Sequence, residues 1–120
     1  MADHTESVKI TERMKSSTRK LHQLAAQMGA ARQIKEYDSD RRRQILAIEV
    51  VKSLKAGESA AAADAIGRAS DAYKTNLEAL AKQYEAAEST IAQWNAEQCS
   101  FEAARSLLSF SKETMRNLDG

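Results

Sequence analysis

Eight residues of this chain recur at a spacing of seven: Ile66, Tyr73, Leu80, Ala87, Trp94, Phe101, Leu108 and Met115. A companion row, Leu77, Tyr84 and Ile91, follows Tyr73, Leu80 and Ala87 by four residues. On an α-helix such rows merge into one apolar seam, and a seven-residue repeat held this long implies helices that wind around neighbours. Asp64, Asp71, Glu78 and Glu85 form a third row at the same period, on the opposite face. Successive members of that acidic row stand about 10 Å apart along the axis, too far to share a proton, so a solvated ion-pair face with Lys74 and Lys82 is expected.

Composition agrees with an all-α reading. There is no proline, only four glycines, and 22 of the 120 residues are alanine. A β-sandwich or barrel needs turn residues every 8–12 positions, and they are missing here. The apolar fraction of 42% contains all the alanines, so the supply of large core side chains is thin. The longest apolar runs, Ile45–Ile48 and Ala60–Ala63, fall far short of the ~20 residues of a spanning helix. No membrane association is expected. The opening Met-Ala-Asp-His-Thr-Glu lacks a basic stretch and an apolar stretch, which predicts a cytoplasmic protein without a cleaved signal. Its single cysteine cannot form an intramolecular disulfide.

Three breaks can be read along the chain. Asp38, Ser39 or Asp40 can cap a new helix, Gly57 suits the left-handed position after a helix, and Ser59 suits the next N-cap. A softer break is read near Asn95, which precedes Gln98 at capping-box spacing, although the same stretch could equally be one unbroken helix. The resulting helices cover about 4–36, 40–56, 59–94 and 96–118. The first opens with Asp3 and Glu6 at capping-box spacing and carries Met14, Leu21 and Met28 on one row, with Ile10, Leu24 and Ala31 on its companion. Gly29 lies inside it. The second is short and apolar over a wide arc, from Ile45 to Leu54, as in the centre of a bundle.

By the helical rise the first helix spans roughly 45–50 Å, the second about 25 Å and the stretch from Ser59 to Trp94 roughly 54 Å. Long helices beside a short one leave apolar rows uncovered. The expected fold is a single all-α domain over 1–120. It is an antiparallel helical bundle of three to four helices, the long ones heptad-patterned, completed by association into a homodimer or larger oligomer.

Catalytic motifs are missing from the sequence. It has no glycine-rich phosphate loop, no Gly-x-Ser-x-Gly and no His-Glu-x-x-His. Its two histidines, His4 and His22, lack the Glu-x-x-His context of a di-iron bundle, so no metal and no cofactor are expected. Cys99 reads as a small buried or half-buried thiol, and His22 as a solvated helix-face residue. A non-enzymatic assembly or adaptor role follows, carried by a seam of Ile66, Tyr73, Leu77, Leu80, Tyr84, Ile91, Trp94, Phe101 and Leu108. A helical protein partner held in an apolar groove would use the same surfaces.

The alternative is nucleic-acid binding. Residues 1–57 carry a net charge of +5 and residues 58–120 a net of −4. Arg41, Arg42 and Arg43, with Arg19 and Lys20, could contact phosphates. Three considerations weigh against it. The isoelectric point is about 7.9, no aromatic residues interleave with the basic ones, and Asp38 and Asp40 stand close enough to pair with the arginines.

Overall fold

Among the described residues Gly57 alone has a positive φ, at 96°, and it follows a helix end, as the sequence predicts, although that helix is the first and not the second. Its N–H donates to the Leu54 carbonyl at 3.1 Å, and the Glu58 N–H donates to the Ser53 carbonyl at 3.2 Å. This pair of bonds satisfies carbonyls that have no partner within the helix, and it needs a left-handed residue at its centre. Ser59 then opens the next helix, its side chain accepting from the Ala62 N–H at 3.2 Å.

The computed structural model describes residues 4–119. Three helices account for nearly all of them: α1, His4–Lys55; α2, Ala60–Ala69; and α3, Asp71–Asp119. No strand occurs among the described residues. Asp3, the first half of the expected capping box, lies outside them.

Helix boundaries differ from the sequence reading in three places. No break occurs at 37–40, because α1 runs through it. Asp38 is not a cap: it continues the row Ile10, Ser17, Leu24, Ala31, Asp38 and Ile45, every member of which is at least half-buried. Its carboxylate accepts from Arg42 Nε one turn later at 2.8 Å, which removes the reason for an aspartate to leave a helix interior. Nor is there a break at Asn95, whose side chain is exposed while α3 continues to Asp119.

The third difference is a break that the sequence reading lacks. Ser70 sits in extended conformation (φ −67°, ψ 144°) and alone separates α2 from α3. Its hydroxyl donates to the Gly67 carbonyl at 3.0 Å and accepts from the Tyr73 N–H at 3.1 Å, so one side chain caps two helix ends. Ile66 therefore belongs to a different helix from Tyr73.

The chain forms two compact units. One holds α1 up to Gly29 with α3 from Thr90; the other holds Ala30–Ser89. In the first, Ser7 Oγ lies 3.4 Å from Ser111 Oγ and Lys20 Nζ 3.5 Å from Glu97. In the second, Lys35 Nζ lies 3.8 Å from Glu88 and Arg41 donates to Gln83 at 3.4 Å. In both, numbers rise along α1 as they fall along α3, so the two segments run antiparallel. Small side chains fill most of the buried positions: Ser17, Ala104 and Ser111 in the first unit and Ala31, Ser53, Ala63 and Ala87 in the second, with Met28 and Leu80 the larger buried residues of each. Small residues let backbones approach. The consequence is that no large side chain is fully buried among the described residues.

Candidate functional site

The α3 row keeps its seven-residue beat from Tyr73 to Leu108, but its companions change sides. In the second unit Leu77 and Tyr84 flank it and turn inward with it. In the first unit Ile91 is still half-buried, but the new inward companions are Thr90, Glu97, Ala104 and Ser111. The cause is the helix itself. Seven residues fall about 20° short of two full turns, so between Leu80 and Leu108 a strict heptad row rotates by about 80° unless the helix supercoils.

Of the nine seam residues, Leu80 alone is buried, at 8% exposure. Tyr73, Leu77, Tyr84, Ile91, Trp94, Phe101 and Leu108 are half-buried. Ile66, on α2, is exposed, as is Met115 at the far end of the row. These last two fall outside the seam, Ile66 through the break at Ser70.

In the first unit the half-buried residues border open hollows. Met14, Thr11 and Thr18 of α1 with Phe101 and Leu108 of α3 line one of about 580 Å³, edged by Glu12, Lys15 and Arg19. Leu21, Trp94, Gln98 and Glu102 line the next, and Phe101 belongs to both. Cys99 is exposed at that second hollow, not buried as its type suggests. In the second unit Lys35 Nζ stands 5.7 Å from the Tyr84 ring centre while also reaching Glu88, so this aromatic edge carries its own cation.

α2 lies against α1 through Gly67. A methyl group at that position would come 3.2 Å from Val50 Cγ2, 3.4 Å from the Val50 backbone nitrogen and 3.5 Å from Leu46 Cδ1. Beyond this contact Ile48, Val51 and Leu54 of α1 remain exposed.

The basic set divides between the units. Arg41, Arg42 and Arg43 lie in the middle of α1, not in a first turn, so they do not oppose its dipole. Arg41 donates to Gln83, Arg42 pairs with Asp38, and Arg43 stands 4.0 Å from Asp40. Successive helical residues point about 100° apart, so the three do not form one patch. Arg19 and Lys20 belong to the other unit, where Lys20 reaches Glu97.

Among the described residues no group of three His, Cys, Asp or Glu is placed to hold a metal ion. No helix among them is long and apolar enough to cross a membrane. No protein-family model, curated protein or solved structure matches the chain.

Proposed function

We propose that this chain is a non-enzymatic helical assembly module, acting through coiled-coil-like packing surfaces that another copy completes into a bundle. One observation carries the reading. Alanine and serine fill most of the buried positions, while Trp94, Phe101, Leu108, Tyr73 and Tyr84 are only partly buried. Leaving large apolar area wet costs about 25 cal/mol per Å², which favours any association that covers it. Nucleic-acid binding is the weaker reading, since each of Arg41, Arg42 and Arg43 already has a partner within the chain.

Light scattering coupled to size exclusion, at low and high salt, tests this. A salt-insensitive mass of at least twice 13.2 kDa, free of excess absorbance at 260 nm, is the expected result. A monomer at all concentrations overturns it. Co-eluting nucleic acid released by salt would instead favour the arginine reading.

A further inference from the structure

We draw no further inference here: the strongest candidate, the apolar hollow that Thr11, Met14 and Thr18 of α1 form with Phe101 and Leu108 of α3 in the first unit, carries nothing, because nothing in the structure shows what covers it.

Discussion

Gly67 and Val50 meet so closely that a methyl group on the glycine would lie 3.2 Å from Val50 Cγ2. Backbone sets that distance as much as side chain, since the Val50 nitrogen is only 3.4 Å from the same point. The contact is how a ten-residue helix, too short to persist alone, is held in place.

Gly67→Val therefore forces α2 away from α1, at a cost of about 1–3 kcal/mol for overpacking. Gly29 is the control. It is exposed, mid-helix, and a methyl group there meets nothing within 4 Å. Gly29→Ala should stabilise the chain by about 1 kcal/mol. Thermal unfolding followed by circular dichroism distinguishes the two. Equal effects of both substitutions would mean that α2 does not pack through Gly67.

Gly57→Ala is expected to destabilise although space around the residue is open. The penalty comes from the backbone, which an L side chain at φ 96° strains by about 1–2 kcal/mol. A urea midpoint at or above that of the parent chain would refute this account of the α1 terminus.

Ser70→Ala removes one hydroxyl that serves two helix ends, and should cost about 1 kcal/mol or more. Hydrogen exchange localises the effect. The Tyr73 amide should lose protection first, since Ser70 Oγ is its acceptor. Unchanged protection at Tyr73 would show that the cap is dispensable.

Asp38→Leu should raise stability by roughly 1 kcal/mol, because it continues the row from Ile10 to Ile45 with an apolar side chain. The ion pair it removes is worth little: Arg42 is 42% exposed and keeps its access to water. A lower urea midpoint would mean that the Asp38–Arg42 pair matters more than the burial that replaces it.

Several elements could be read from the residues because their causes are local. The turn at Gly57 and Ser59 rests on one left-handed glycine and one hydroxyl cap, and both occur where these residue types place them. The helical period rests on spacing. Where the reading failed, longer-range facts decided. Asp38 has the chemistry of a cap, and its position on an inward row with Arg42 four residues later makes it an interior residue instead. Ser70 lies amid alanines that favour helix, yet α2 turns back through Gly67 onto Val50, a contact between residues seventeen apart that no local pattern announces.

The candidate surface divides in the same way. That Tyr73, Leu80, Ala87, Trp94, Phe101 and Leu108 share one face was legible from spacing, and the structure turns that face inward, whereas Ile66 was assigned to it by spacing alone and lies on another helix. Glu97, Ala104 and Ser111 were missed because none is large and apolar. The signal that could have found them is the drift of a straight helix against a strict heptad.

By itself the sequence determined that this chain is helical, where α1 ends, and which row of α3 turns inward, since each depends on residues within a few turns. Only the tertiary structure decided how deeply that row is covered. Burial depends on which side chains turn most directly between antiparallel segments, and here most of the buried positions hold serine or alanine. Most of the row's large apolar residues are left partly in water, because a pair of helices has no interior wide enough to enclose them.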